Sequence, residues 1–308
     1  MTSDNDGAAA RQIWVTLAFV SFGTLLGQLL VAGYALALGY DLGQLRAGGP
    51  AALSAGELAG ALALGQAFGY LLPGVAAAVT LYRGRWLDGV HLRPLPRPAK
   101  LAYALLAFLG TLYLTGALAA LNATVELAGW QADIERDVAG FLDRLINAEG
   151  PGGLAAAVLV IALLPALGEE LVFRGLLQPA LVARLRSPHL GIWLTGIAFG
   201  AVHLQFAGLL PRVFLGVVLG FLAFYSQRLW VPILAHALFN GAQVVAVRAG
   251  ALDAVAPGRP EAPDTATLLL AVGLAAISLV SLLPLARPDP GGGDGDAPVD
   301  DASTFPPA

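Results

Sequence analysis

The sequence predicts an all-α fold, a polytopic transmembrane helix bundle with about eight spans. Of the 308 residues, 57% are hydrophobic and only 12% are charged, whereas soluble domains carry about 25% charged residues. Apolar stretches recur along the chain near the length of about 20 residues that a spanning helix needs. They are continuous and rich in leucine and alanine, without the alternation of a barrel strand, so we predict helices.

Eight stretches are candidate spans, with ends set to within about 2–4 residues. The first has no positively charged leader, because Asp4 and Asp6 precede it, and we predict an uncleaved anchor rather than a signal peptide. The fifth and sixth, and likewise the sixth and seventh, meet so closely that tight helical hairpins or partly re-entrant segments are expected. The eight stretches are residues 13–40, 58–82, 101–121, 153–182, 190–210, 211–229, 230–248 and 266–286.

Basic residues set the expected orientation. The loop between the second and third spans carries five of the 17 basic residues, and with this loop in the cytoplasm the inner side has ten and the outer side six. This bias predicts an integral membrane protein with both termini in the cytoplasm. The near absence of lysine, with many alanines and glycines, indicates a bacterial protein and hence the inner membrane. The five loop residues are Arg83, Arg85, Arg93, Arg97 and Lys100.

The segments outside the spans are few. Residues 131–149 have an apolar and a polar helical face, which indicates either an amphipathic helix on the outer membrane surface or a loop helix packed on the bundle. Residues 287–308 are acidic and rich in proline and glycine, and we predict a disordered tail. Residues 1–286 are then one transmembrane domain.

Composition excludes several classes of function. A formal net charge of −4 gives no basic surface for nucleic acid, so none is expected as a partner. The chain has no cysteine, which excludes disulfides, thiolate zinc sites and cysteine nucleophiles. The lipid bilayer is the partner that the composition requires.

Charged residues inside the spans are the candidates for function, because each costs about 2.5–3.5 kcal/mol at the bilayer centre. Glu170 and Arg174 are four residues apart in the fourth span and can pair on one helix face. Glu169 points about 100° away and has no such cation. His203 lies in the fifth span, and the seventh carries His236 and Asn240 on one face, four residues apart.

This set can hydrolyse an amide without a serine, threonine or cysteine nucleophile. A buried carboxylate can act as general base on water, an imidazole can hold that water, and a second imidazole with a carboxamide can stabilise an oxyanion. Carboxylate and imidazole are also zinc ligands, although no HExxH helix is present. The cofactor stays open between a divalent metal such as zinc and water activated without a metal.

Three motifs then resemble a known family. Glu169-Glu170 with Arg174, Phe199 with His203, and His236 with Asn240 follow in order on three spans, within a core of residues 153–248. They resemble the EExxxR, FxxxH and HxxxN motifs of the CAAX protease and bacteriocin-processing (CPBP) family, whose members include type II prenyl-protein endopeptidases and which is labelled as metalloproteases.

The resemblance implies an intramembrane endopeptidase that cleaves a peptide or a membrane-anchored protein. In this interpretation Glu169 activates water with His203, while His236 and Asn240 stabilise the tetrahedral intermediate. Glu170 and Arg174, with Phe199, support the site. Two alternatives are a non-catalytic membrane scaffold or immunity protein, and a proton-coupled transporter, since buried glutamate and histidine also relay protons.

Overall fold

The computed structural model describes residues 2–41, 53–93, 95–250 and 262–286, and the regular structure in these ranges is all helical. This confirms the predicted all-α bundle. In chain order the helices are α1 (Thr2–Ala37), α2 (Ala55–Gly89), α3 (Pro98–Ala123), α4 (Gly129–Ile146), α5 (Gly152–Leu185), α6 (Pro188–Ala201), α7 (Leu209–Ser226), α8 (Trp230–Arg248) and α9 (Thr265–Leu285).

Within the described ranges, seven of these helices are long and apolar enough to cross a membrane. Each of these seven helices coincides with one of the eight predicted spans. Among the described residues, the fifth predicted span, 190–210, has no spanning helix. Its helix α6 has 14 residues, about 21 Å at 1.5 Å per residue, which is short of the roughly 30 Å hydrocarbon core. The helix ends at Ala201 because the chain turns there, with Leu204 at a left-handed φ of 52°. His203 therefore lies in a turn. The prediction from the sequence, which placed His203 inside a spanning helix, is wrong.

Helix α5 lies at the centre of the bundle and contacts α1, α2, α6 and α8. It contains two π-helical turns, Val158–Leu163 and Leu171–Leu177, where the backbone hydrogen-bond ladder widens. A side chain from another helix donates to a carbonyl in each turn. Gln12 Nε2 of α1 lies 2.8 Å from Leu176 O, and Asn240 Nδ2 of α8 lies 3.1 Å from Ile161 O. These bonds fix α1 and α8 against the helix that carries the two acids.

Helix α2 approaches α5 closely at the residue before Glu169. A Cβ atom added to Gly168 would lie 3.0 Å from both the backbone nitrogen of Leu71 and the Cβ of Tyr70. A larger side chain would push the two helices apart, and small residues at such crossings are typical of membrane helix packing. Gly168 thus brings α2 beside the acidic turn of α5.

Two polar contacts between helix ends mark the two ends of the bundle. At one end Arg186 pairs with Asp6 at 3.2 Å, joining the start of α1 to the turn between α5 and α6. At the other end Arg248 donates to Ile146 O at 2.7 Å, joining α8 to the end of α4. Each contact joins segments that the sequence places on one side of the membrane. The assignment of the first end to the cytoplasm stays a prediction from the basic residues.

Helix α4 shares features of both alternatives for residues 131–149. Its last turn packs on the bundle, where Leu145 and Ile146 are buried. Its first turn leaves Trp130 59% exposed, with the indole edge on the ring of Phe206 at 5.3 Å between centroids. The predicted tail, 287–308, lies outside the described residues, and the single domain 1–286 stays a prediction.

Candidate active site

Glu170 and Arg174 form a buried ion pair on α5. Arg174 Nη1 lies 2.7 Å from Glu170 Oε1, and both side chains are fully inaccessible to solvent. Arg174 Nη2 donates to the backbone carbonyl of Gly216 on α7, also at 2.7 Å. The pair is the one that i,i+4 spacing predicts, and it additionally ties α5 to α7.

His236 binds the same carboxylate, a contact that the sequence analysis missed. Its Nδ1 lies 2.8 Å from Glu170 Oε1, the oxygen that also accepts from Arg174. A carboxylate accepts hydrogen bonds, so Nδ1 of His236 carries a hydrogen and Nε2 is left for other contacts. The two residues are 66 positions apart, and spacing within one helix gives no signal for such a pair.

Glu169 and His203 face each other without a direct hydrogen bond. Glu169 Oε2 lies 3.8 Å from His203 Nε2, beyond the roughly 3.2 Å of an N–H···O bond. This buried oxygen has no hydrogen-bond partner among the described residues. The His203 side chain is 27% exposed and that of Glu169 only 6%, so the histidine lies nearer the surface of the bundle than the glutamate.

The second nitrogen of His203 determines which atom faces Glu169. His203 Nδ1 lies 2.8 Å from the carbonyl oxygen of Phe199, one helical turn earlier. A carbonyl only accepts, so Nδ1 carries the hydrogen, and Nε2 of the neutral imidazole is an acceptor. Two acceptors therefore face each other across 3.8 Å. A donor of two hydrogens, such as water, satisfies both acceptors if it binds beside the pair, since 3.8 Å leaves no room on the line between them.

Phe199 packs against candidate residues of α5, of α8 and of the turn that follows α6. Its ring meets the His203 and His236 rings edge-on, at centroid distances of 5.2 and 5.7 Å. The guanidinium carbon of Arg174 lies 4.5 Å from the centre of the same ring. Phe199 is only 1% exposed, so it spaces the two imidazoles and covers the ion pair.

Asn240 lies away from Glu169 and His203. The amide nitrogen donates to Ile161 O, eight residues before Glu169 and hence about 12 Å along α5. His236, one turn earlier on α8, reaches Glu170. The structure thus brings Glu169, His203, Glu170 and His236 together, and it places Asn240 at the neighbouring π-helical turn.

The residues present do not fit a zinc site. Catalytic zinc takes three protein ligands, and within the described part of the chain no three histidine or acidic side chains are grouped to hold a metal. Glu170 is held by Arg174 and His236. Glu169, His203 and Nε2 of His236 are the donors that remain, and among the described residues they are not grouped as a metal site.

Comparisons with known proteins agree with the motifs. Residues 151–242 match the family model described as type II CAAX prenyl endopeptidase Rce1-like. Over 83 residues the chain is 30% identical to a protein of Bacillus subtilis (strain 168) named "Putative membrane peptidase YdiL"; the alignment covers 27% of this chain and 34% of that protein. No solved structure matches the chain. Residues 151–242, which hold every candidate residue above, are thus similar to the Rce1-like family, and this match confirms the resemblance that the motifs indicated in this part of an integral membrane protein.

Proposed function

We propose that the protein is an intramembrane endopeptidase in which Glu169 and His203 activate water. The observation that carries the proposal is the pair of acceptors, Glu169 Oε2 and His203 Nε2, that face each other across 3.8 Å. A water molecule that donates one hydrogen to each has its lone pairs directed away from both. Those lone pairs are then oriented to attack a peptide carbonyl.

The proton balance follows from the same geometry. As the water oxygen attacks the carbonyl carbon, one of its protons passes to Glu169 and the carbonyl oxygen becomes an oxyanion. Glu169 then returns the proton to the leaving amine when the C–N bond breaks. His203 holds the second hydrogen throughout, so the attacking water keeps its orientation.

His236 is the proposed donor to the oxyanion, and Asn240, which binds α5 about 12 Å along the helix from Glu169, is a second donor if the substrate brings the oxyanion toward that turn. Nδ1 of His236 is held by Glu170, so the ring donates from Nε2 only when it carries a second proton, and the Glu170 carboxylate stabilises that charged form. Asn240 uses one amide hydrogen on Ile161 O and has a second to donate. Arg174 balances the charge of Glu170 and so keeps this side of the site in place.

The proposed substrate is a peptide or a membrane-anchored protein whose scissile bond reaches the site from the lipid bilayer. The match to a family of membrane proteases supports this class. The predicted bacterial inner membrane argues against a prenylated CaaX terminus, which is a eukaryotic chemistry. The chain spans about a third of the length of the relative that it matches, so the activity of the whole protein is part of the proposal.

The test is a comparison of Glu169→Gln with wild type in lipid nanodiscs. The probe is a library of membrane-anchored peptides, with new termini detected by mass spectrometry. Glu169→Gln keeps the shape and loses the base, so we expect cleavage to fall by about 10²- to 10⁴-fold. His203→Ala should fall similarly, whereas Glu149→Gln, an exposed acid outside the site, should cleave like wild type.

The alternatives predict different results. If Glu169→Gln cleaves as fast as wild type, the catalytic role is wrong. If the wild type cleaves none of the library and Glu169→Gln complements a deletion strain, a non-catalytic scaffold is supported. Proton flux into liposomes that is lost in Glu169→Gln supports a transporter.

A further inference from the structure

His203 lies on a backbone segment with little regular structure to hold it. Residues 202–208, which we call the His203 turn, join α6 to α7. Leu204, directly after the histidine, has a left-handed φ of 52°. A bulky residue adopts this conformation only where its surroundings impose it. Side chains from elsewhere in the fold must therefore fix the His203 turn.

Asn122, near the end of α3, holds the turn at two points. Its amide nitrogen donates to Phe206 O at 2.8 Å, and its amide oxygen accepts from Leu210 N, also at 2.8 Å. The residue is only 4% exposed, so it is a buried amide with both polar atoms used on backbone. Asn122 thus binds the carbonyl oxygen of Phe206 just before α7 and the N–H of Leu210 in the first turn of α7, a donor that the helix itself leaves unpaired.

Two further side chains hold the same turn from other helices. Glu135 of α4 accepts from Ala207 N at 2.9 Å. Arg212 of α7 donates to the backbone oxygen of Gln205 at 3.1 Å and to its side-chain oxygen at 2.8 Å. Together with Asn122, they bind the backbone of three successive residues of the turn, two to four positions after His203.

The position of His203 depends on this support. Its own hydrogen bond goes back to Phe199 O on α6, which fixes the direction of the ring from one side. The polar contacts above, with the ring contact between Phe206 and Trp130, fix the chain after it. A shift of about 1 Å in a reacting group costs up to about 100-fold in rate. A water that bridges Glu169 and His203 requires a fixed separation of the two side chains, and this separation is the quantity that the support preserves.

We propose that Asn122, Glu135 and Arg212 are positioning residues that hold the His203 turn so that His203 Nε2 keeps facing Glu169. This inference rests on the proposed hydrolytic function. Asn122 and Glu135 lie before residues 151–242, the range that matches the family model. The part of the chain without a family match therefore contributes to the geometry of the site.

The first test measures the turn itself and requires no substrate. The chain has no cysteine, so Ala207→Cys, at an exposed position, can carry a single nitroxide label in full-length protein in nanodiscs. We expect a slow, ordered spectrum that becomes several-fold more mobile in a Glu135→Ala background. The matched control is Asp137→Ala, an exposed acid on the same helix, and it should leave the spectrum unchanged. An unchanged spectrum in Glu135→Ala overturns the proposal.

The second test measures cleavage in the assay described above. We expect Glu135→Ala and Arg212→Lys to lower kcat by about 10- to 100-fold with KM within about twofold. Glu135→Gln keeps an acceptor oxygen and should retain most of the activity, a rescue that a loss of general stability does not produce. Asn122→Ala should lower kcat further, since it frees two contacts.

The outcomes separate this inference from the proposed function. One outcome is that Glu169→Gln is inactive, while Glu135→Ala and Arg212→Lys have the same kcat as the control Asp137→Ala. The positioning role of Glu135 and Arg212 is then wrong, and the hydrolytic function stands. If Glu169→Gln cleaves like wild type, the function itself fails. Equal losses in Glu135→Gln and Glu135→Ala also overturn the proposal, because the acceptor oxygen then does not matter.

Discussion

Replacing Arg174 with methionine tests how much the buried ion pair contributes to the fold. Arg174→Met keeps an unbranched side chain but removes two hydrogen bonds, to Glu170 and to Gly216 O, each 2.7 Å long. Charged hydrogen bonds contribute about 1.5–3 kcal/mol each, and the contact with the Phe199 ring about 0.5–2 kcal/mol. Breaking one partner of a buried pair costs about 3–5 kcal/mol. We therefore expect the free energy of unfolding to fall by about 3–5 kcal/mol.

The assay is denaturant unfolding in detergent micelles, followed by tryptophan fluorescence. The double variant Glu170→Gln with Arg174→Met should recover at least half of the loss, because no uncompensated buried charge is left. Arg136→Met is the control, since Arg136 pairs with Asp133 on an exposed face and such pairs contribute less than about 1 kcal/mol. The reasoning is refuted if Arg174→Met loses no more than Arg136→Met, or if the double variant loses the sum of its parts.

Two more predictions concern a loop histidine and the central ring. Burial, with the Arg228 charge as the smaller cause, lowers the pKa of His91 from 6.5 to about 4. The unfolded chain therefore binds a proton at a higher pH than the folded protein does. The free energy of unfolding has its full value above about pH 6.5 and falls by about 1–3 kcal/mol as the pH drops to about 4. Unfolding midpoints measured between pH 8 and 4 should show this fall in wild type and not in His91→Gln. Phe199→Leu removes ring contacts of about 0.5–1.5 kcal/mol each and should lower kcat more than KM, whereas the same change at Phe108, a buried core ring outside the site, should leave kcat unchanged.

The spanning helices and the contacts within a single helix were predictable from the sequence. Apolar stretches located seven spanning helices, and the i,i+4 rule paired Glu170 with Arg174. The same rule left Glu169 without a cation on its own helix, and the structure places it opposite His203. These features depend on helix geometry alone, which a periodic pattern specifies directly.

Contacts between distant segments were not predictable in the same way. The bond from His236 to Glu170 and the two bonds of Asn122 join residues far apart in sequence. The early end of α6 was missed because residues 202–210 are mostly apolar, and hydropathy does not register a left-handed residue such as Leu204. The two π-helical turns in α5 were not predicted for a similar reason, since one extra residue in a turn leaves the composition unchanged.

The two neighbouring acids of α5 have different surroundings. Glu170 is already bound by the guanidinium one turn later and by His236 before any substrate arrives. In the proposed reaction Glu169, turned about 100° away, is the acid that gains and loses the proton. A reaction of this kind would change the charge on one acid while the other keeps its bonds, and the surrounding low-dielectric interior would not need to reorganise.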